Sequence, residues 1–450
     1  LLSSTSIVDK EMSVLSSPPN TSRKFGGSFS RKSPANAIGV ARVSLKQGVL
    51  RRAVLGKLQG IVGGEITVVE GGRSEKFGDA DADIRVAVRV HHPRFYRAVA
   101  TGGSIAAAES YIDGDWSCDD LTGLIRIFAR NMQASAELGG TWNSLLDLGR
   151  KFTHRLNRNT RAGSRRNISA HYDLSNEFYA LFLDETMTYS SGVFPTEGST
   201  MKEASIEKYD RLCRKLQLSR DDRVMEIGTG WGGFALHAAT HYGCHVTTTT
   251  ISKQQHDFAK KRFAEHGVDD RVTLLSSDYR DLTGKYDKLV SIEMIEAVGH
   301  EYFDAFFAKC SSLIEPDGLL AIQAITIPDQ RFEEYCKSVD FIQKYIFPGG
   351  CLPSLGAMTR SVGRTTDLQF VHVEDFAEHY GQTLRCWRER FYENIQRIRR
   401  LGMSDSFLRM WEYYLCYCEG AFCEKQIGVA QILFQKPNNR LTPRFPALGE

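Results

Sequence analysis

Val224-Met225-Glu226-Ile227-Gly228-Thr229-Gly230-Trp231-Gly232-Gly233 is the stretch that decides the fold of this 450-residue chain. An apolar strand ends in an acidic residue and runs into a turn containing four glycines, after which a helix is predicted from about Phe234 to His241. Such a turn lets a nucleotide-like ligand lie against bare backbone N–H groups at a helix N-terminus. Gly228, Gly230 and Gly233 also satisfy the dinucleotide pattern G-x-G-x-x-G, which alone is a weak signal.

Two details favour S-adenosylmethionine (SAM) over NAD. Glu226 sits on the strand just before the first glycine, as in SAM-dependent methyltransferases. The next strand, His245 to Thr250, ends without the carboxylate that a dinucleotide fold places on its ribose. A capping pattern follows, Ser252-Lys253-Gln254-Gln255, which opens another helix. Further strands are predicted at Val272–Ser276, Lys288–Ile292 and Leu319–Ile325, with helices between them. Strand–helix alternation implies a doubly wound, mostly parallel sheet with its ligand at the carboxyl ends of the strands. The loops expected there are Gly228–Gly233, Thr250–Gln255, Asp278–Arg280 and Glu293–Gly299.

Upstream, residues 1–47 are rich in Ser, Asn, Gly and basic side chains and are read as a disordered tail, with an organellar transit peptide as the alternative. Residues 48–148 form an accessory α+β unit, with alternating strands at Glu65–Glu70 and Ile84–Val90 and helical patterns at Phe95–Ala100, Ile105–Tyr111 and Leu121–Asn131. Residues 149–166 are a basic linker carrying Arg150, Lys151, Arg155, Arg158, Arg161, Arg165 and Arg166 and no acid. That patch suits an anionic membrane surface. RNA would attract the same charge, but aromatic side chains for base stacking are nearly absent. Residues 167–437 are the catalytic domain and 438–450 a C-terminal tail.

The net charge of +3 names no partner, and no apolar run approaches the roughly 18–20 residues that span a bilayer. Membrane contact is therefore expected to be peripheral, on the inner face and from the cytoplasm. The ten cysteines are scattered and fit free thiols. Cys416, Cys418 and Cys423 invite a metal reading, but they lie on a predicted helix where residues two apart point about 200° from one another, so no metal site is expected.

Read together, the loops resemble the cyclopropane-fatty-acyl-phospholipid synthase family. The residues that carry the resemblance are His171-Tyr-Asp-Leu174, Met187-Thr-Tyr-Ser190, Glu226 to Gly232, Thr250-Ile-Ser-Lys253, Ser291 to Gly299, Lys344 to Pro353 and Tyr413 to Phe422. It spans roughly residues 48–436 and implies a class I SAM-dependent methyltransferase fold: α/β, Rossmann-like, with a mostly parallel seven-stranded sheet and a smaller N-terminal α+β domain. It also implies a reaction. The cis double bond of a phospholipid acyl chain takes the methyl of SAM, and the resulting cation loses a proton to bound bicarbonate and closes to a cyclopropane. The implied partner is unsaturated phospholipid in a bilayer, with a homodimer as a further option and no nucleic acid.

Carried over position by position, the resemblance puts Tyr189 and Ser190 near the cofactor and the site entrance, and Gly228, Gly230 and Trp231, after the cofactor-binding Glu226, on the methionine and ribose side of SAM. Thr250, Ile251 and Gln255 match ribose and adenine contacts, and Asp278 and Tyr279 the adenine-flanking loop. Glu296 matches the carboxylate that holds bicarbonate, Tyr380 the phenol on the same anion, and Cys418 a cysteine near the site. The chain departs from the family at two positions: Ser191 stands where a cysteine is usual, and Gln323 where a histidine is usual. Both can hydrogen-bond an anion, but neither can supply a thiolate or an imidazole base. A different fate of the same cation gives a methyl-branched or methylene chain. A catalytically silent lipid- and SAM-binding protein is the alternative of another class, and a nucleic-acid methyltransferase lacks its usual catalytic loop.

Overall fold

The computed structural model describes residues 48–137 and 174–443. The 1–47 tail, the basic segment 149–166, the 171–173 part of the first family motif and residues 444–450 lie outside the described residues.

The larger sheet has seven strands in the order β10-β11-β9-β8-β5-β6-β7. They are β5 (Arg223–Ile227), β6 (His245–Thr249), β7 (Val272–Leu275), β8 (Tyr286–Ile292), β9 (Ile314–Thr326), β10 (Gln369–Asp375) and β11 (Gly428–Gln435). From β9 to β7 all neighbours are parallel, and β11 pairs antiparallel with both β9 and β10. The chain leaves β5 toward β6 and β7, then returns to lay β8 on the other side of β5. That reversal opens a crevice at the strands' carboxyl ends, where doubly wound folds bind ligands. The central strands β5 and β8 are buried over most of their length because helices cover both faces of the sheet.

The five strands predicted here are present, while β10 and β11, which complete the sheet, fall in sequence given no strand. The helix after the glycine turn is α-helical over Gly233–His237 and widens to a π-turn over Ala238–Tyr242. Only half of the Ser252/Gln255 capping box forms. Ser252 Oγ accepts from Gln255 N (3.3 Å), but the Gln255 side chain accepts from Thr250 Oγ1 instead, and Ser252 N donates to Thr250 Oγ1 (3.1 Å).

The smaller sheet runs β2-β1-β3-β4, from β1 (Glu65–Glu70), β2 (Arg73–Gly78), β3 (Arg85–Val90) and β4 (Trp116–Cys118). Gly71 and Gly72, both at positive φ, make the two-residue hairpin turn between β1 and β2. The two helical patterns expected at 95–111 are one helix, Arg94–Ile112, bent at Gly103 (φ 61°, ψ −149°), a conformation open to glycine. This unit packs on helix Asp405–Cys423. Arg409 donates to the carbonyls of Tyr111 (2.6 Å) and Trp116 (2.7 Å), and Arg126 pairs with Glu424 (2.7 Å). The same helix brings Trp411 edge-on to Phe178 (5.0 Å between ring centres) in a buried aromatic cluster with Phe182 and Trp387. Truncating such a ring to alanine costs about 3–5 kcal/mol.

Among the described residues no helix is long and apolar enough to cross a membrane.

Candidate functional site

A cavity of about 280 Å³ opens at the carboxyl ends of β5, β6 and β8. All four loops expected there contribute to its wall, through Gly228–Gly230, Thr250, Asp278 and Glu293 among others. Thirteen of the sixteen candidate residues line it: Tyr189, Ser190, Glu226, Gly228, Gly230, Trp231, Thr250, Ile251, Gln255, Asp278, Tyr279, Glu296 and Tyr380. Ser191, Gln323 and Cys418 do not.

The glycine turn works as a cradle. Gly228 (φ 102°) and Gly230 (φ 53°) take left-handed backbone, and a side chain at Gly230 would meet no protein atom within 4 Å. The space beside it is therefore cavity. Trp231 closes one side, its ring 4.9 Å from Tyr179 and its Nε1 donating to Asn176 Oδ1 (2.8 Å). Glu226 is buried, accepts from Thr248 Oγ1 (2.6 Å), and is pushed up to about 8 by that burial. Asp278 caps the short turn Tyr279–Asp281, accepting from Arg280 N (3.0 Å).

The decisive geometry lies at Glu293, a residue of the Ser291–Gly299 motif with no role among the expected site residues. Glu293 is among the few non-glycine residues at positive φ (48°), which turns its side chain into the base of the cavity. Its Oε1 accepts from Ser191 N (2.9 Å) and Gln323 Nε2 (2.8 Å), and its Oε2 from the Tyr380 hydroxyl (2.8 Å). Burial pushes the carboxyl up, while Lys208 and these three donors hold it down. Lys208, buried on helix Met201–Leu216, donates to Ser190 Oγ (2.6 Å) and is drawn down to about 8 by burial.

Two expectations need correction. Tyr380 and Gln323 hydrogen-bond the Glu293 carboxylate and not that of Glu296. Glu296 instead turns Oε1 to Ile325 N (2.6 Å), leaves Oε2 buried without a partner, and is pushed up to about 8, first by burial and then by the Glu293 charge. Ser191 and Gln323 both meet Glu293 Oε1. Ser191 meets it through its N–H, its hydroxyl being spent on Gly192 O (3.0 Å). Cys418 does not line the cavity, and burial pushes its thiol up, so it holds its proton at neutral pH.

Aromatic rings fill the rest of the wall: Tyr189, Phe347, Tyr380 and Tyr414. Tyr189 and Tyr414 share a hydrogen bond (2.9 Å), and Tyr380 stacks on Phe422 (4.4 Å). Of the Tyr413–Phe422 run, Tyr414 alone reaches the cavity, while Tyr413 packs on Phe341. The 344–353 motif supplies Phe347, Pro348, Gly350, Cys351 and Leu352, pinned by Cys351 N donating to Glu296 O (2.8 Å).

SAM fits these residues. It carries a sulfonium and an ammonium, and this wall presents four acidic side chains, the buried Glu226 and Asp278 and the half-buried Glu293 and Glu296. Among the described residues one group has metal-ligand spacing, His300, Cys336 and Cys351, whose ligand atoms lie within 4.8 Å of one another. Cys416, Cys418 and Cys423 are free thiols along one helix.

The family model described as mycolic acid cyclopropane synthetase matches residues 159–432. This chain belongs to that family. Tuberculostearic acid methyltransferase UfaA1 of Mycobacterium tuberculosis is 39% identical over 350 residues, 76% of this chain and 81% of that protein. The cyclopropane-fatty-acyl-phospholipid synthase of Escherichia coli is 35% identical over 368 residues, 80% of this chain and 89% of its own length. The solved structure of mycolic acid cyclopropane synthase CmaA1 complexed with SAH and CTAB matches with a TM-score of 0.57 and 31% identity, covering 60% of this chain and 98% of that one. This member of the family is accordingly a SAM-dependent methyltransferase, and its lipid chemistry is methyl or methylene transfer.

Proposed function

We propose that the enzyme converts a cis double bond of a phospholipid acyl chain to a cyclopropane, with Glu293 as the proton acceptor. The observation that carries this reading is the Glu293 carboxylate, held by three donors at the base of an aromatic cavity. SAM supplies an electrophilic methyl carried on a sulfonium. The π pair of the alkene forms a new C–C bond as the C–S bond breaks, and the acyl chain is left one proton in excess as a carbocation. Tyr189, Phe347 and Tyr414 shield that cation from water and meet it with their ring faces. Glu293 takes one proton from the transferred methyl, and the released pair closes the ring. A fixed carboxylate in this place makes a bound bicarbonate unnecessary. Ser191, Gln323 and Tyr380 orient it, and Glu296 lies beside it as a neutral carboxyl.

A methyl- or methylene-branched product is the second reading, favoured by the 39% identity to a protein named as a methyltransferase. A hydride shift from the methyl-bearing carbon to its cationic neighbour, followed by loss of a methyl proton to Glu293, leaves a methylene branch; a saturated methyl branch further requires a hydride donor. The surface of a bilayer is the proposed place of action, with the acyl chain drawn into the cavity.

The test is expression in a host lacking cyclopropane lipids, followed by mass spectrometry and proton NMR of the lipids. A gain of one CH₂ per double bond with upfield ring protons supports the first reading. The same mass with vinylidene protons supports the second. Turnover of the purified enzyme that disappears on bicarbonate removal, or survives in Glu293→Gln, overturns the role given to Glu293.

A further inference from the structure

The polar contacts behind Glu293 continue past Gln323. Gln323 and Gln431 face each other directly in the β9–β11 register, and Gln323 Oε1 accepts from Gln431 Nε2 (3.1 Å). Gln431 Oε1 accepts from Lys215 Nζ (2.6 Å). Lys215 also pairs with Glu374 on β10, a carboxylate it shares with Arg211. Gln323, Gln431, Lys215 and Arg211 are each at most 1% exposed. The result is a buried row, Glu374–Lys215–Gln431–Gln323–Glu293, that crosses from the far edge of the sheet to the site.

The row has a direction. An ammonium only donates, whereas a carboxamide has one accepting and one donating end. Lys215 therefore fixes Gln431 with its oxygen toward the cation and its NH₂ toward β9. Gln323 must answer with its oxygen, which leaves its own NH₂ for Glu293. Turning either amide over would set two donors or two acceptors face to face in the buried interior of the sheet.

We propose that Lys215 and Gln431 are positioning residues of the methyl-transfer site: they polarise Gln323 so that it meets Glu293 as a donor and keeps that carboxylate ionised and aimed at the cavity. The proposal rests on Glu293 as the proton acceptor. The other groups that face Glu293 are Lys208 from helix Met201–Leu216, Tyr380 from helix Ala377–Glu393, Ser191 N–H, and Glu296 in the same loop. None of these groups belongs to the row, though two backbone carbonyls touch it: Lys208 O accepts from Gln431 Nε2 (3.4 Å) and Ser191 O from Gln323 Nε2 (3.3 Å).

The experiment is a double-mutant cycle on the full-length enzyme with SAM and unsaturated phospholipid vesicles. Gln431→Met removes the donor to Gln323 without adding charge. The expected result is a fall of about 10-fold in kcat, smaller than the roughly 10²–10⁴-fold of a lost general base because Glu293 itself stays in place. The acid limb of the pH–rate profile should move to higher pH, with SAM affinity by calorimetry within about twofold of wild type. Gln323→Met should lower kcat and move the limb likewise, and the double variant should match Gln323→Met alone because both act through one amide. Effects that multiply in the double variant, or an acid limb unmoved in a folded Gln431→Met protein, overturn the proposal. If Gln431→Met does not fold, Gln431→Glu keeps the volume and the Lys215 contact, and the limb must still move up only while Gln323 is present. Glu293→Gln separates the two readings. If it is inactive while Gln431→Met leaves the limb unmoved, Glu293 stands and the row falls. If it is active, the reading of Glu293 itself falls.

Discussion

Tyr380 donates its phenolic hydrogen to Glu293 across 2.8 Å, joining helix Ala377–Glu393 to the loop that follows β8. The contact exists only because Glu293 adopts left-handed backbone (φ 48°), a conformation that costs a non-glycine residue about 1 kcal/mol or more. A glycine would adopt it freely. The glutamate that takes this strain is pinned by three donors and faces the cavity.

Removing that donor has a directional consequence. The Tyr380 hydrogen bond lowers the Glu293 carboxyl against the upward push of burial. In Tyr380→Phe the carboxyl rises further, and the anion is lost at a higher pH as the solution is acidified. The acid limb of kcat/KM should shift upward and kcat at pH 7 fall roughly 10- to 100-fold, with SAM affinity unchanged. A pH–rate profile superimposable on wild type would remove Tyr380 from the site's electrostatics.

The sheet and the cofactor loops were legible because glycines and acidic residues punctuate the carboxyl ends of the strands, and those positions line the cavity. Glu293 was not, because a left-handed glutamate leaves no trace in sequence, and Glu296, three residues on, drew the role instead. Lys208, Arg211 and Lys215 were invisible for another reason. Charged residues on a helix are ordinarily solvated, yet these three recur at i, i+3 and i+7 on the single face that packs inward. That spacing was the available signal. Strand β2, Arg-Ser-Glu-Lys-Phe-Gly, carries almost no apolar alternation because it is an exposed edge.

The cradle at Gly230 predicts a graded loss. A β-branched side chain resists positive φ and would project into the open space where the cofactor is expected. Gly230→Val should weaken SAM binding by about 100-fold or more in calorimetry, whereas Gly230→Ala, with strain of about 1–2 kcal/mol and one methyl, should lose less. Gly233→Ala should act on stability instead, because its Cβ would lie 2.2 Å from the Tyr209 hydroxyl. Wild-type affinity in folded Gly230→Val would mean that the cofactor does not use this turn.

Contact with the bilayer is testable through the basic segment 149–166. Seven cations without an acid should draw the protein to anionic head groups at about 1 kcal/mol per cation near the surface. Arg158, Arg161, Arg165 and Arg166 replaced together by Gln should reduce sedimentation with anionic vesicles, and added salt should do the same to wild type, since exposed charges are screened over about 8–10 Å at physiological ionic strength. SAM affinity should not change. Equal binding to neutral and anionic vesicles would reduce the segment to a connector.

Glu296 supplies a pH dependence of stability with a definite sign. Burial, helped by the Glu293 charge, raises its carboxyl from 4.5 to about 8 in the fold. In the unfolded chain it returns to the ordinary range near 4.3. A group raised on folding stabilises the native state most below its unfolded value, and that contribution is lost as pH rises through the folded value. Between pH 5 and pH 8 wild-type Tm should therefore decline relative to that of Glu296→Gln, which has no proton to lose. The variant keeps an oxygen for Ile325 N, so the fold around β9 should persist. Because Glu293 and Glu296 interact, the two carboxyls titrate as a pair, and the decline should spread over more than one pH unit. Parallel Tm–pH curves for the two proteins would show that Glu296 is solvated in solution and that the neutral carboxyl beside Glu293 does not exist.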